Sequence, residues 1–326
     1  MPPCAPTGTR EVQIDGLGSL KGWEYGTGLS QYCGIPYGWL AKRWTRSTLA
    51  TCWPNNYYDG SRCSGPNPPE FSTFQDCLVP NIVTLSPKLK DPFPLWSTSF
   101  VYGGANASVF DAVNAMFYSI ERGTPVVMVN FNYPVGYDGF LASSEIKEDL
   151  EKDGLSGVDR TGLDTALHRQ FGGDKGNVTI FGLSAGGISC AYQIAAANPA
   201  VFHRAVMSGT LNTIPMWSLD QYEKRYQALV RYFNIQGPGS PEKLRALPDH
   251  VVAAATIPVE GVFVCSANPC DDERFPMKHP TFTAISTPPS WLKSYMIGDT
   301  ADEAITFRMQ IQDLTFMKAL EKCPNS

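Results

Sequence analysis

Histidine and charged residues are scarce in this 326-residue chain. It has only four histidines and 17 % charged residues, and none of the histidines lies in an H-E-x-x-H pattern. The nine cysteines never follow a C-x-x-C spacing. Because metal sites are recognised by such ligand patterns, we expect neither a metal nor an organic cofactor. The net charge of −5, without a basic cluster, argues against a nucleic-acid partner.

Long apolar runs are also missing. No run reaches the roughly 18 residues that a helix needs to cross a bilayer. The first sixteen residues, MPPCAPTGTREVQIDG, lack the apolar region of a secretory signal. We therefore expect no membrane span and a cytoplasmic location. The sequence makes no prediction about the oligomeric state.

What the sequence does contain is a globular proportion of hydrophobic residues, 43 %, arranged in alternating strand and helix patterns. Strand-like segments occupy residues 78–87, 95–104, 124–133, 177–182, 205–209 and 294–299, and helical patterns occupy 107–121, 185–197, 221–233 and 302–310. Such alternation predicts an α/β fold with a mostly parallel central sheet and helices on both faces. We expect a single domain over residues 1–326, with a small β-hairpin region at residues 1–40 and a long loop at 53–76.

The segment Gly182-Leu183-Ser184-Ala185-Gly186 joins a buried strand to a helix of small residues. A serine becomes a nucleophile only beside a base and in an exposed position. A sharp strand-to-helix turn gives the exposure, and flanking glycines leave room for the helix to cross the strand. The pattern therefore predicts a catalytic Ser184; the alternative is an ordinary strand–turn–helix joint.

Acyl transfer also needs hydrogen-bond donors for the oxyanion. The backbone N–H of Ala185 is one candidate, at the positive end of the following helix. The glycine-rich turn at residues 101–106, VYGGAN, would bring further N–H groups close to a substrate. The alternative for that turn, taken alone, is an ordinary connection after a strand.

Several motifs, in the same order along the chain, resemble those of the type-B carboxylesterases and lipases, which have the α/β-hydrolase fold. These motifs are GIPYG (34–38), DCLVPNI (76–82), VYGGAN (101–106), VNFNYPVGYDGFL (129–141), FGGDKGNVTIFGLSAGG (171–187), VFHRAVMSGT (201–210) and MIGDTADEAITF (296–307). The resemblance implies a carboxylic ester hydrolase that forms an acyl-enzyme on serine, takes a small-molecule ester as substrate and needs no cofactor.

The resemblance also implies roles for particular residues. Ser184 matches the nucleophile and Glu303 the acid of the triad, with Asp299 and Asp302 as neighbouring alternatives. The residues that match the oxyanion hole are Gly104, Ala105 and Ala185. Cys63 and Cys77 match two positions that form a disulfide in secreted relatives. Tyr102 and Trp217 are candidates to line the acyl or alcohol pocket, although core packing explains them equally well.

The sequence departs from the family at the base and beside the nucleophile. The family's histidine lies well beyond the acid, whereas all four histidines here precede Glu303, and only His279 is a candidate substitute. We therefore expect a C-terminally truncated member that lacks the last part of the fold and has doubtful activity. The alternative is a catalytically degenerate, esterase-like interaction protein. Leu183, where many relatives have glutamate, argues against cationic choline esters.

Overall fold

The computed structural model describes residues 5–26, 28–61, 77–85, 93–97, 111–133, 136–155, 171–174, 176–195, 202–209, 216–255, 258–259, 270–271, 288–299 and 301. Its strands are β1 (Gly8–Ile14), β2 (Gly18–Glu24), β3 (Leu29–Tyr32), β4 (Gly38–Leu40), β5 (Ser47–Leu49), β6 (Tyr57–Asp59), β7 (Pro80–Leu85), β8 (Phe93–Ser97), β9 (Met128–Phe131), β10 (Val178–Leu183), β11 (Arg204–Ser208), β12 (Trp217–Ser218), β13 (Cys270–Asp271) and β14 (Ser294–Gly298). Its α-helices are α1 (Val113–Glu121), α2 (Gly136–Phe140), α3 (Ser144–Lys152), α4 (Ala185–Ala195), α5 (Leu219–Tyr232), α6 (Ser240–Arg245) and α7 (Asp249–Ala254), and a 3-10 turn spans Pro54–Asn56.

One mixed sheet organises the described chain. Its strands follow the order β1-β2-β3-β7-β9-β8-β10-β11-β14, and β6 pairs with β2 outside this path. Neighbours from β1 to β9 run antiparallel, whereas β9, β8, β10, β11 and β14 are all parallel. The parallel half is the half expected from the strand–helix alternation, and the carboxyl ends of its strands share one edge.

The sheet is covered on two faces because successive side chains of a strand point in opposite directions. Ile82, Val129 and Ile180 belong to a core that includes residues of α4. Their chain neighbours Val83, Met128 and Phe181 belong to a second cluster that includes residues of α1. The two helices therefore cover opposite faces, as the sequence predicted.

A separate cluster of helices packs around Trp44, in the segment between β4 and β5. It includes buried side chains from α2, α3, α5, α6 and α7, together with Trp217. Arg43 is almost fully buried beneath it and donates hydrogen bonds to the carbonyls of Leu244 and Leu247, each at 3.1 Å. These hydrogen bonds join residues about two hundred positions apart in the sequence and so hold the segment around Arg43 against the helices.

The element bounds agree with the sequence patterns in type but differ in detail. Within the β-hairpin region expected at residues 1–40, β1 and β2 pair in antiparallel register around Gly16. Several short elements match none of the predicted segments. They include β6, which lies within the loop expected at 53–76, and α3. The helical pattern at 302–310 lies outside the described residues, so the single domain over 1–326 stays a prediction.

Candidate active site

Ser184 occupies the one-residue turn between β10 and α4. Its φ angle is +55°, in the left-handed region that non-glycine residues seldom adopt. The residue is exposed, whereas Ala185, which begins α4, is buried. A strained and exposed serine is unusual in an ordinary strand–turn–helix joint, and such strain concentrates at functional sites. The local geometry therefore favours the nucleophile over the structural alternative.

The glycines around the turn are required by close backbone contacts. A Cβ added to Gly182 would lie 2.2 Å from the carbonyl carbon of Gly186. One added to Gly187 would lie 2.9 Å from the carbonyl oxygen of Ser208. Because both contacts are with backbone atoms, a side chain at either position would force the helix away from the strands. This is the tight crossing that the sequence pattern predicted.

Backbone hydrogen bonds fix the turn from two sides. The N–H of Ser184 donates to the carbonyl of Ser208 at 2.6 Å, and the N–H of Ile188 donates to the carbonyl of Ser184 at 3.0 Å. The N–H of Gly209 donates to the carbonyl of Gly298 at 2.8 Å. These hydrogen bonds join the ends of β10, β11 and β14 and hold the backbone of Ser184 in place.

Sequence reasoning assigned no role to Ser208, Gly209 or Gly298, although all three lie in motifs used for the resemblance. Gly209 has a φ of +109°, and a Cβ there would lie 2.9 Å from the Cα of Ser184. The only sequence signal for Gly209 is a glycine directly after a short buried strand. That signal points to Ser184 only when β10 is known to be the neighbour of β11.

The candidate oxyanion donors are only partly within the described chain. The N–H of Ala185 lies at the first position of α4, an eleven-residue helix, where the helix dipole favours negative charge. Gly104 and Ala105 lie outside the described residues. The strand that precedes them, β8, ends with Ser97 paired to Gly182, so the chain leaves β8 at the same sheet edge as Ser184. Their role stays a prediction.

The candidate acids of the catalytic triad are also only partly within the described chain. Glu303 and Asp302 lie outside the described residues, and Asp299 is exposed directly after β14. Since β14 pairs in parallel with β11, from Arg204↔Ser294 to Ser208↔Gly298, the chain beyond Gly298 leaves at the edge that carries Ser184. This placement suits an acid that orients a base, and the assignment to Glu303 stays a prediction.

His203 lies at the opposite edge of the sheet. Its N–H donates to the carbonyl of Val178 at 2.8 Å, and the N–H of Val178 points to its Nδ1 at 3.4 Å. Ser184 is six residues further along β10, about 20 Å away at the usual rise of a strand. Burial lowers the pKa of His203, and Lys293 and Arg204 nearby lower it further. His203 therefore cannot act as the base of Ser184.

The other histidines leave the base unassigned. His250 lies in α7, one of the helices of the Trp44 cluster. His168 and His279 lie outside the described residues. Within the described residues, no contact joins an imidazole to the side chain of Ser184.

Of the two residues expected to line the acyl or alcohol pocket, Trp217 lies within the described chain. Trp217 is buried, packs edge-on against Tyr222 at 5.4 Å between ring centroids, and has the Arg225 guanidinium 3.3 Å from its ring centroid. Trp217 is thus part of the helical core, as its structural alternative predicted. Leu183, beside the nucleophile, is 58 % exposed. Tyr102 lies outside the described residues.

The predicted disulfide pair is only partly within the described residues. Cys77 is buried, but Cys63 lies outside the described residues, so the expected pairing stays a prediction. Cys33, which sequence reasoning did not single out, is disulfide-bonded.

In the described part of the chain, no group of three or more His, Cys, Asp or Glu side chains is placed to hold a metal ion. Within the same residues, no helix is long and apolar enough to cross a membrane.

Comparison with known proteins gives one consistent result. The carboxylesterase family matches residues 8–322. "Secreted lipase 1" of Botryotinia fuckeliana (strain B05.10) is 29 % identical over 260 residues, which cover 72 % of this chain and 44 % of that protein. "Lipase 1" of Geotrichum candidum is 32 % identical over 149 residues, or 41 % of this chain and 26 % of that lipase. The chain thus spans less than half the length of these curated relatives.

Solved structures show the same fold. A PNB esterase superposes with a TM-score of 0.76 at 23 % identity, covering 96 % of this chain and 68 % of its own. A carboxylesterase of Geobacillus stearothermophilus gives a TM-score of 0.74 at 23 % identity, covering 95 % and 68 %. These similarities establish the α/β-hydrolase fold that the sequence motifs implied.

Proposed function

The chain belongs to the carboxylesterase family, and from this premise we propose that it is a carboxylic ester hydrolase in which Ser184 attacks the ester carbonyl. The observation that supports the proposal most directly is the φ of +55° at Ser184, in an exposed turn fixed by neighbouring strand ends. A strained turn of this kind between a strand and a helix is the one that exposes a nucleophilic serine to an approaching substrate.

The proposed reaction follows the two steps of acyl transfer. The Ser184 oxygen adds to the ester carbonyl, and the oxyanion accepts hydrogen bonds from the backbone N–H of Ala185 and, as proposed, of Gly104 and Ala105. Collapse expels the alcohol and leaves an acyl-enzyme, which water hydrolyses to the acid. Glu303 is the proposed acid that orients the base, and the substrate is a small-molecule ester.

Leu183 gives this site an apolar rim. Its side chain is 58 % exposed beside the nucleophile, and an aliphatic group there cannot attract a cationic alcohol. We therefore expect neutral esters to be preferred to choline esters. Apolar surface that a substrate covers contributes roughly 25 cal/mol per Å², which favours acyl or alcohol groups of several carbons.

The test is pre-steady-state hydrolysis of p-nitrophenyl butyrate. We expect a burst of p-nitrophenol that approaches one equivalent per chain, because an acyl-enzyme forms before water attacks. Ser184→Ala should abolish the burst. The matched control is Ser189→Ala, in which the lost hydroxyl donates only to the carbonyl of Ala185, at 2.9 Å within α4; it should keep the burst. A burst that survives Ser184→Ala would refute the proposal.

The position of His203 favours a second candidate, a catalytically degenerate protein that keeps the esterase fold for interaction. The structurally described histidine nearest to the parallel strands lies at their amino ends, remote from Ser184. Without a base, serine hydrolases keep only a residual rate, about 10³–10⁴ over water in serine proteases. Added imidazole separates the two candidates, since it supplies the missing base from solution. If imidazole accelerates ester hydrolysis by the native chain but not by Ser184→Ala, the site lacks its histidine, and the result supports the catalytically degenerate candidate.

A further inference from the structure

Cys33 is disulfide-bonded, and the contacts of its backbone indicate which cysteine it bonds. It directly follows β3 and is only 4 % exposed. Its disulfide does not involve Cys52, Cys77, Cys190 or Cys270. The other four cysteines of the chain are Cys4, Cys63, Cys265 and Cys323, and they all lie outside the described residues.

The chain that follows β6 passes directly beside Cys33. The N–H of Cys33 donates to the carbonyl of Gly60 at 2.9 Å, and a Cβ added to Gly60 would lie 3.2 Å from the carbonyl oxygen of Cys33. The side chain of Asp59 accepts from the N–H of Ser61 at 3.1 Å, which turns the chain at this point. Cys63 is three residues after Gly60, so their Cα atoms are at most about 11 Å apart. The roughly 4.4–6.8 Å between the Cα atoms of a disulfide is therefore within reach.

The amino-terminal end of the chain leads away from Cys33. Gly8 and Ser30 both pair with Glu24 of β2, so they are level with each other in the sheet, and β1 and β3 run in the same direction. Cys33 follows Ser30, whereas Cys4 precedes Gly8. The direction of the two strands thus separates these two cysteines, which disfavours a bond between them.

Cys265 is close in sequence to a different part of the fold. It is five residues before Cys270, which begins β13, packs against the Trp44 cluster and pairs with Trp217 of β12. Cys323 is more than twenty residues beyond the last described residue. Of the four cysteines, Cys63 is the one that follows a described segment in contact with Cys33.

We propose that Cys33 and Cys63 form a disulfide bond that fastens β6 and the chain after it to the end of β3. β6 has only three residues, which pair with β2, so few backbone hydrogen bonds hold it in place. The bond closes a loop that contains Arg43 and Trp44, the residues that contact the helical cluster. Cys63 then cannot bond Cys77, the pairing that the family motifs implied.

The bond forms by exchange with a small disulfide such as oxidised glutathione. The thiolate of one cysteine attacks a glutathione sulfur and releases one glutathione thiolate, and the thiolate of the other cysteine then displaces the second. Two protein thiols are oxidised, one external disulfide is reduced, and the two protons pass to the released thiolates. Because such bonds persist in oxidising compartments and are rare in the cytosol, the proposal implies an oxidising compartment in place of the cytoplasmic location expected from the sequence.

The test is peptide mapping of the native protein, isolated without a reductant. Thiols are alkylated, and digestion with trypsin and Glu-C then separates Cys33 in residues 25–42, Cys63 in 63–70 and Cys77 in 71–88. We expect peptide 25–42 to be linked to peptide 63–70 and to be released by reduction. A bond from Cys33 to any other cysteine, a bond between Cys63 and Cys77, or alkylation of both Cys33 and Cys63 would overturn the proposal. The proposal uses no residue of the catalytic turn, so it is independent of ester hydrolysis.

Thermal unfolding of variants tests the same bond. Cys33→Ala and Cys63→Ala should lower the melting temperature by similar amounts, and the double variant should lower it no further, because each change removes the same bond. Cys52→Ala is the control, since Cys52 is an exposed free thiol, and it should melt as the native chain does. Losses that add in the double variant would contradict the pairing. The peptide map needs no variant, so it decides the question even if a variant fails to fold.

Discussion

Gly209 lies directly against the backbone of Ser184: a Cβ at position 209 would be 2.9 Å from both the Cα and the nitrogen of the serine. Gly209 is held in turn by its hydrogen bond to the carbonyl of Gly298. The end of β11 thus acts as a support for the strained turn. A support of this kind positions the proposed nucleophile without contacting the substrate.

Gly209→Ala should therefore lower the reactivity of Ser184. The added methyl group displaces the serine backbone, and the φ of +109° is itself unfavourable for alanine. A displacement of about 1 Å costs on the order of 100-fold in rate, and the measurement is the rate of inactivation by a fluorophosphonate. Gly123→Ala is the control, since Gly123 also has a positive φ, +71°, but no atom within 4 Å of an added Cβ. Equal rates in both variants would contradict the supporting role.

His203→Gln should leave the burst of p-nitrophenol unchanged. The imidazole lies about 20 Å from Ser184 along β10, and its ring interacts with the backbone of Val178. Glutamine keeps a side-chain acceptor for that N–H. Burst amplitude and rate in the native chain and the variant are the quantities to compare. A large loss of burst in a variant that melts at the native temperature would mean that His203 reaches the serine after all.

Gly182→Ala should destabilise the fold, because its Cβ would overlap the backbone of Gly186 at 2.2 Å. Overpacking against backbone costs about 3 kcal/mol, measurable as a lower urea midpoint. Gly8→Ala in β1 is the matched control, with nothing within 4 Å of the added Cβ. It should change stability by no more than about 0.5 kcal/mol. Similar midpoints for the two variants would refute the tight crossing of β10 and α4.

Asp149 links α3 to the segment around Arg43 and should make stability depend on pH. Burial alone would raise its pKa, but hydrogen bonds from the cationic side chains of Lys42 and Arg245 help to lower it from 3.8 to about 2. Its Oδ2 lies 3.0 Å from the Nζ of Lys42 and also accepts from Arg245. Since the folded pKa is below the unfolded one, the stabilisation is present above pH 3.8 and is lost as the pH falls towards 2.

The corresponding experiment is urea unfolding of Asp149→Asn at several pH values. The shift in pKa corresponds to about 2 kcal/mol at neutral pH, which the variant should lack, and its stability should vary less between pH 4 and pH 2. Asp153→Asn is the control, because Asp153 contacts the same lysine at 2.5 Å but is 56 % exposed. A loss in Asp153→Asn as large as that in Asp149→Asn would contradict the account.

The sequence predicted the turn at Ser184 better than its surroundings. This turn is predictable because a buried strand, a glycine pair and a helix of small residues are all local signals. The predicted strand at 124–133 shortened to Met128–Phe131, and the one at 205–209 moved to Arg204–Ser208, because pairing with neighbours sets where a strand ends. Local patterns also missed β6, which exists through its pairing with β2.

Long-range contacts explain what the sequence could not predict. The Trp44 cluster depends on Arg43, whose side chain is paired with Asp249 and two helix-end carbonyls far along the chain. The support of Ser184 by Gly209 is likewise visible only once β10 and β11 are known to be neighbours. The residues Gly104, Ala105, Glu303 and Cys63 lie outside the described chain, and their roles rest on the family motifs.

The central claim is that Ser184 is a nucleophile, and covalent labelling with a fluorophosphonate tests it most directly. The labelled chain is measured by intact mass and then mapped by peptide mass spectrometry. The account predicts one adduct, on the peptide that contains Ser184, absent in Ser184→Ala and retained in Ser189→Ala. No adduct in a chain that unfolds cooperatively, or an adduct that persists in Ser184→Ala, would contradict it.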